Sequence, residues 1–340
     1  MKYQLLGKTG CRVSELALGT MTFGTEWGWG ADEITSRSIF EVYAQAGGNF
    51  IDTANRYTEG TSERLVGDFI ASDRDHFVLA TKYTLYDRKG DPNFSGNHRK
   101  NLIRSVEGSL KRLKTDFIDL LWVHAWDSTT PEQEIMRALD DLIRSGKVHY
   151  LGISDTPAWV VARSNVLAEL KGWTSFAALQ VEYSLIQRTP ERELIPMAAG
   201  FGMTLTPWAP LAGGALTGKY LKGEEKPGRL APTSERLNER NQTIARQVLS
   251  VAEKWNVTPA QVALAWIRQQ VKKSIPIVGA RRPDQLSDAL GCLSVSLDDE
   301  DMTALNQVSQ IPLGFPHDFL SGEGVKDVMT GGTWSSIIRD

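Results

Sequence analysis

Asp52, Tyr57, Lys82 and His124 are titratable residues standing at or just beyond the ends of successive apolar runs in a 340-residue chain. A buried run is a costly place for Asp or Lys unless the two pair. Several such groups converging on one end would make a proton-handling site. Side-chain chemistry divides the work. A Tyr phenol is a weak acid at neutral pH, with a reference pKa of about 10, and a nearby ammonium stabilises its phenolate and lowers that value. Lys82 can do this for Tyr57, with Asp52 holding Lys82 charged and oriented, while His124 hydrogen-bonds and orients a substrate oxygen. Such a set suits protonation of a carbonyl oxygen as hydride arrives at carbon.

The elements that must position these residues are legible as an alternation. Short apolar runs occur at 15–19, 49–54, 76–82, 116–124, 148–154, 177–183, 203–209 and 274–280, with amphipathic stretches such as 32–47, 98–114 and 131–147 between them. In the last of these, Ile135, Leu139, Leu142 and Ile143 share one helical face. Thr130 is placed to cap that helix, Pro131 suits its first turn and Gly146 its end. Short, nearly continuous apolar strands are those of a parallel sheet buried on both faces. Eight β-then-α units predict a (β/α)8 TIM barrel of the α/β class, whose reactive groups gather where strands end. An open doubly wound sheet would carry a GxGxxG turn after its first strand, and the segment GTMTFGTEWGWG lacks that spacing.

Outside the repeat, KYQLL and CRVSE flank GKTG, an N-terminal β-hairpin able to cap the barrel floor. The segment 210–236, rich in Gly, Lys and Pro, reads as a long mobile loop after strand seven. LDDEDMTALNQVSQ reads as an extra C-terminal helix with Leu297 and Asp298 at its start, and the tail from residue 311 as irregular, with Phe315, His317 and Phe319 able to reach the barrel rim. No linker divides the chain, so residues 1–340 are expected to form one domain.

Composition narrows the function classes. Hydrophobic residues make up 41% and charged residues 23%, and the formal net charge is −3, which argues against a nucleic-acid partner because phosphate binding leaves a basic excess. Cys11 and Cys292 lack metal-site spacing and read as reduced thiols. No continuous apolar h-region opens the chain and no run of about 20 apolar residues occurs. The expectation is a cytoplasmic protein without metal or membrane partner. An oligomer is compatible with these features and required by none.

The segments LGTMTFG (18–24), FIDTANRYTEGTSERLVG (50–67), LATK (79–82), RLKTDFIDLLWVH (112–124), LGISD (151–155), LQVEYSL (179–185), WAPLAGGALTGKY (208–220) and IPIVGARRPDQL (275–286) together resemble the aldo/keto reductase superfamily. The pattern is most similar to the bacterial aryl-alcohol-dehydrogenase-like branch, related to the potassium-channel β-subunits. The resemblance implies a TIM barrel, the catalytic tetrad Asp52, Tyr57, Lys82 and His124, and a nicotinamide cofactor. Thr20 and Met21 match the loop over the nicotinamide ribose beside Asp52, Ser154 and Gln180 match residues that bind the carboxamide, and Trp208 matches a ring stacked on the nicotinamide. Ala209, Pro210, Leu211 and Gly213 match a backbone cradle for the pyrophosphate, with Lys219 and Arg229 as phosphate clamps. Gly279, Arg281, Arg282, Gln285 and Asp288 match the adenosine end. Adjacent arginines at a helix start suit a 2′-phosphate, which favours NADPH/NADP+ over NADH.

The chain departs from the family pattern in having Asp155 after the serine where Asn is common, and Asp288 with Ala289 where a Glu-Asn pair is common. Trp27, Trp29, Tyr57, Tyr86, His124 and Trp126 form the expected aromatic substrate rim, with Asp127 and Arg88 beside it, for an aryl, dicarbonyl or sugar-derived aldehyde or ketone. The implied reaction is reversible carbonyl reduction with Tyr57 as general acid. Two alternatives stand beside it: a Schiff-base lyase or aldolase with Lys82 as nucleophile, and a non-turnover NADPH-sensing module.

Overall fold

The computed structural model describes residues 1–221 and 230–338. Two short antiparallel strands, β1 (Tyr3–Leu5) and β2 (Arg12–Ser14), come first. Eight parallel strands follow: β3 (Ala17–Gly19), β4 (Phe50–Asp52), β5 (Val78–Tyr83), β6 (Ile118–Val123), β7 (Val148–Ser154), β8 (Phe176–Glu182), β9 (Thr204–Trp208) and β10 (Ile277–Val278). They hydrogen-bond in the order β10-β3-β4-β5-β6-β7-β8-β9. The ring closes where Ile275 N donates to Leu205 O and Leu205 N to Lys273 O, at 2.8 and 3.2 Å. Each expected apolar run is a strand of this TIM barrel.

The helices are α1 (Glu33–Gln45), α2 (Thr61–Ile70), α3 (Arg99–Leu113), α4 (Glu132–Arg144), α5 (Ala158–Lys171), α6 (Leu194–Phe201), α7 (Glu239–Trp255), α8 (Pro259–Gln270), α9 (Pro283–Leu290), α10 (Asp299–Ser309), α11 (His317–Ser321) and α12 (Glu323–Thr330). Their starts follow local chemistry: Asp32, Asn238, Thr258 and Asp298 each accept a backbone N–H of the first turn. The N-terminus of α4 differs from the sequence expectation. Asp127 takes the Thr130 hydroxyl at 2.7 Å, so Pro131 occupies the cap position without a side-chain bond. The tail differs too. It is not irregular but holds α11 and α12, because Gly322 and Gly331 fall at helix ends. Its His317 meets Glu193 before α6 at 3.0 Å, while Phe315 and Phe319 are exposed, their rings tilted at 45° with centroids 6.0 Å apart.

Alternation along each strand separates two cores. Ile51, Leu79, Leu121, Ile153 and Leu179 point outward to the helices. Phe50, Val78, Ala80, Leu120, Trp122 and Ala178 point inward and fill the barrel, with Leu6 and Val13 of the hairpin as its floor. Two glycines make this interior possible. At Gly152 a Cβ would stand 2.2 Å from the Trp122 ring, so that indole fits only against a bare backbone. At Gly7 φ is +60°, and a Cβ would lie 2.4 Å from Ala177 O.

Among the described residues no helix is long and apolar enough to cross a membrane, and no three His, Cys, Asp or Glu side chains are grouped to hold a metal ion. Burial pushes the Cys11 thiol up to about 11 and the Cys292 thiol up to about 12, so neither is a thiolate at neutral pH.

Candidate active site

Parallel strands bring all eight C-terminal ends to one mouth, and inward alternation continues there in polar residues. Asp52 is the last residue of β4, Lys82 the penultimate residue of β5, and His124 follows β6 directly. Ser154 ends β7, Gln180 lies near the end of β8, and Trp208 ends β9. Tyr57 comes from the β4–α2 turn, where Thr58, Glu59 and Gly60 all have left-handed φ (45°, 55° and 87°). Thr58 and Glu59 are strained in that conformation, which Gly60 adopts freely, and the Thr58 hydroxyl, bonded to Phe23 O at 2.6 Å, helps to hold them.

The tetrad is assembled. Lys82, wholly buried, donates from Nζ to Asp52 Oδ2 at 2.5 Å, to Thr53 O at 2.9 Å and to the Tyr57 hydroxyl at 3.1 Å. Its three hydrogens are therefore all engaged. Burial opposes the Lys82 charge, but Asp52 and Tyr57 more than offset it and the ammonium's pKa is raised. The second Asp52 oxygen accepts from Gln180 Nε2 at 3.0 Å. The His124 ring lies edge-on to Tyr57 with centroids 6.0 Å apart, and its Nδ1 is buried with no hydrogen-bond partner among the described residues. Burial, with Lys82 second, takes the His124 pKa down to about 3, so the imidazole is neutral at physiological pH.

One expectation is reversed. Lys82 does pull the Tyr57 pKa down, but burial pushes it up more strongly, and the net direction is upward. The phenol is held protonated until its proton has somewhere to go, and the ammonium 3.1 Å away then meets the phenolate.

The residues expected on the nicotinamide side share this mouth. Thr20 Oγ1 bonds Asp52 O at 3.1 Å and Met21 follows it. The Ser154 hydroxyl is enclosed and makes no bond of good geometry, yet lies close enough to Asp155 to favour that carboxylate's charge. The Trp208 indole, half-buried, donates to Asp155 Oδ1 at 3.1 Å. Beyond it the backbone turns sharply, with left-handed φ at Ala209, Ala212, Gly213 and Gly214 around Pro210 and Leu211. Lys219 packs against Gly214 with its ammonium 4.9 Å from the Tyr220 ring. The expected mobile loop is tied down at its described ends, by Leu230 N on the Tyr220 hydroxyl at 3.1 Å and by Arg236 on Glu182 at 2.5 Å. Arg229 lies outside the described residues.

At the far side Gly279 follows β10, and Arg281 N is held by Gln285 Oε1 at 3.0 Å. Arg282 precedes α9 and forms an exposed pair with Asp284 at 2.9 Å. The Asp288 carboxylate accepts from Thr258, the cap of α8, and from Gln261 within it, at 3.1 and 3.0 Å, so it ties α8 to α9. An enclosed, unbonded serine hydroxyl, a fixed indole face and α9 amides without a side-chain cap are groups a dinucleotide could satisfy, so these residues fit a nicotinamide cofactor.

The rim is aromatic. Trp27 lies 5.8 Å from Trp29 and 6.4 Å from Tyr57. Trp126 packs edge-on against Trp159 at 5.6 Å. Arg56 stacks on Tyr86 at 4.5 Å and bonds its hydroxyl at 3.0 Å. Arg88 pairs instead with Asp91 and covers Phe94 within its own loop, and Asp127 is spent on the backbone of Asn97, Thr129 and Thr130. Sequence reasoning missed Thr53 O, Arg56, Trp159 and the Asp155–Trp208 bond, since each depends on chain neighbours far apart in sequence.

A TIM barrel with a proton donor, a buried cation and a dinucleotide-compatible mouth defines an oxidoreductase that handles carbonyl oxygens. The aldo/keto reductase family pattern matches residues 15–310, and the chain belongs to that family. It is 37% identical to a norsolorinic acid reductase of Aspergillus flavus, over 93% of this chain and 83% of the relative. It is 39% identical to an aryl-alcohol dehydrogenase of Pestalotiopsis microspora, over 92% and 82%. It is 36% identical to an aryl-alcohol dehydrogenase [NADP(+)] of Phanerodontia chrysosporium, over 94% and 89%. These relatives are fungal, and the chain is an NAD(P)H-type reductase of small carbonyl compounds.

Proposed function

We propose that the chain, acting as one barrel domain in the cytoplasm, is an NADPH-dependent reductase of aromatic aldehydes or ketones in the bacterial aryl-alcohol-dehydrogenase-like branch, related to the potassium-channel β-subunits. The observation that carries the reading is the fully buried Lys82 ammonium between Asp52 and the Tyr57 hydroxyl. When bound, the cofactor supplies a hydride to the carbonyl carbon. His124, neutral, orients the carbonyl oxygen through a hydrogen bond. Tyr57 gives that oxygen its proton, and Lys82 stabilises the phenolate left behind. Asp52 keeps Lys82 charged and in place. Trp208, fixed by Asp155, offers one ring face to the nicotinamide, which would make transfer one-sided. Arg281 and Arg282 would take the 2′-phosphate, and the exposed Asp284 partner costs little to displace. The Trp27–Trp29 and Trp126–Trp159 pairs favour an aryl substrate, in keeping with the relatives' names.

The Schiff-base alternative lacks support, because a Lys82 with every hydrogen engaged and a raised pKa has no lone pair to attack a carbonyl. The test is NADPH consumption with benzaldehydes, dicarbonyls and sugar aldehydes, repeated with NADH. Turnover confined to aromatic carbonyls and faster with NADPH is expected. Absence of turnover on every carbonyl, with NADPH bound, would instead favour the sensor reading.

A further inference from the structure

We propose that Asp155 is a specificity-determining residue that places an unbalanced negative charge at the nicotinamide end, so that the protein discriminates between the redox states of its cofactor in favour of the oxidised, cationic one. The inference rests on the cofactor placement given under Proposed function.

The charges at the mouth lead to it. Lys82 and Asp52 cancel as a pair at 2.5 Å. Glu182, the next acidic group on β8, is matched by Arg236 at 2.5 Å. His124 is neutral. Among the described residues Asp155 forms no ion pair, and its bonded partner is the uncharged Trp208 indole at 3.1 Å. The carboxylate is anchored on both sides of its Cα: its backbone is left-handed at φ 41°, and its carbonyl receives Trp126 N at 3.5 Å. Aspartate and asparagine tolerate that conformation better than most residues. Burial pushes the Asp155 pKa up; the Trp208 indole, Lys82 and Ser154 offset this only in part and the net direction is upward, so the charge is tested well above the carboxylate range, at pH 8. The residue thus holds the indole as an asparagine could, and adds a charge.

That charge acts on the reaction as well as on binding. Carbonyl reduction moves one hydride (two electrons with a proton) from the reduced ring to carbon and one proton from Tyr57 to oxygen. The ring side gains one positive charge as the alcohol forms. A fixed carboxylate favours that charge distribution, tilts the enzyme-bound equilibrium toward alcohol and oxidised cofactor, and slows departure of the oxidised form.

The experiment is equilibrium titration of the intact protein with NADP+ and with NADPH at pH 8, followed by tryptophan quenching and NADPH fluorescence. Wild type is compared with Asp155→Asn, whose amide oxygen can still accept from the indole, and with Asp155→Ser, which loses charge and acceptor together. Circular dichroism checks that each is folded. The ratio Kd(NADPH)/Kd(NADP+) is expected to fall about tenfold in both variants, or about 1.4 kcal/mol. A ratio within twofold of wild type in both, with both nucleotides bound, overturns the role of Asp155. A folded wild type that binds neither nucleotide overturns the cofactor reading itself and this inference with it.

Discussion

Lys82 reaches the Tyr57 hydroxyl across 3.1 Å while Asp52 holds the same ammonium at 2.5 Å. A proton donor and its counter-charge are thus pre-positioned, with Lys82 and Asp52 buried and Tyr57 half-buried at the mouth, and the energy of the arrangement depends on all three side chains.

Replacing Tyr57 by Phe removes the donor and leaves the ring. The rate of carbonyl reduction should fall by about 10²–10⁴, with the NADPH dissociation constant close to wild type. Steady-state kinetics beside a fluorescence titration separates the two effects. Retained turnover would remove Tyr57 from the role.

Lys82→Met should damage the fold as well as the reaction. Asp52 would be left as a buried charge without its cation, at a cost of about 3–5 kcal/mol. Adding Asp52→Asn should restore part of the stability and none of the activity. Urea midpoints of wild type, single and double variants decide it, and an undiminished single-variant midpoint would show that the pair is not buried in solution.

Acid should act through His124. Its folded pKa is depressed to about 3 by burial, whereas in the unfolded chain it is near 6.5. Between those values the unfolded state binds the extra proton. The stability contributed is complete above about pH 6.5 and drains as pH falls toward 3, at up to about 1.4 kcal/mol per pH unit. His124→Asn should flatten this slope, measured as unfolding midpoints at pH 7, 6 and 5. Parallel slopes would contradict the burial of a neutral imidazole.

Gly152→Ala forces a methyl to within 2.2 Å of Trp122 inside the barrel. Overpacking of this kind costs about 1–3 kcal/mol. The lowered melting temperature should come with a blue- or red-shifted tryptophan emission, and an unchanged melt would mean that the indole can move aside.

The double change Arg281→Ala and Arg282→Ala should raise the NADPH dissociation constant about tenfold or more and leave that of NADH nearly unaltered, since the guanidinium forks are assigned to the 2′-phosphate alone. Equal losses for both nucleotides would place them elsewhere on the cofactor.

The chain's order determined much of this by itself. Eight apolar runs with helical stretches between them specify parallel strands buried on both faces, and strand ends carrying Asp52, Lys82, His124, Ser154 and Trp208 must then share one mouth. Local signals also placed Asp298 at its helix start and the 7–10 turn, because caps and turns are decided by neighbouring residues. Tertiary structure decided what depends on neighbours remote in sequence. Asp127 takes Thr130 away from its cap. Asp288 accepts from Thr258 and Gln261, joining α9 to the start of α8. Burial outweighs Lys82 in setting the Tyr57 proton affinity. Asp155, read in the sequence as a departure from the family pattern, becomes the partner of a tryptophan 53 positions away. Spacing says which groups can meet. Which influence wins once they meet depends on how much solvent the closed barrel has removed.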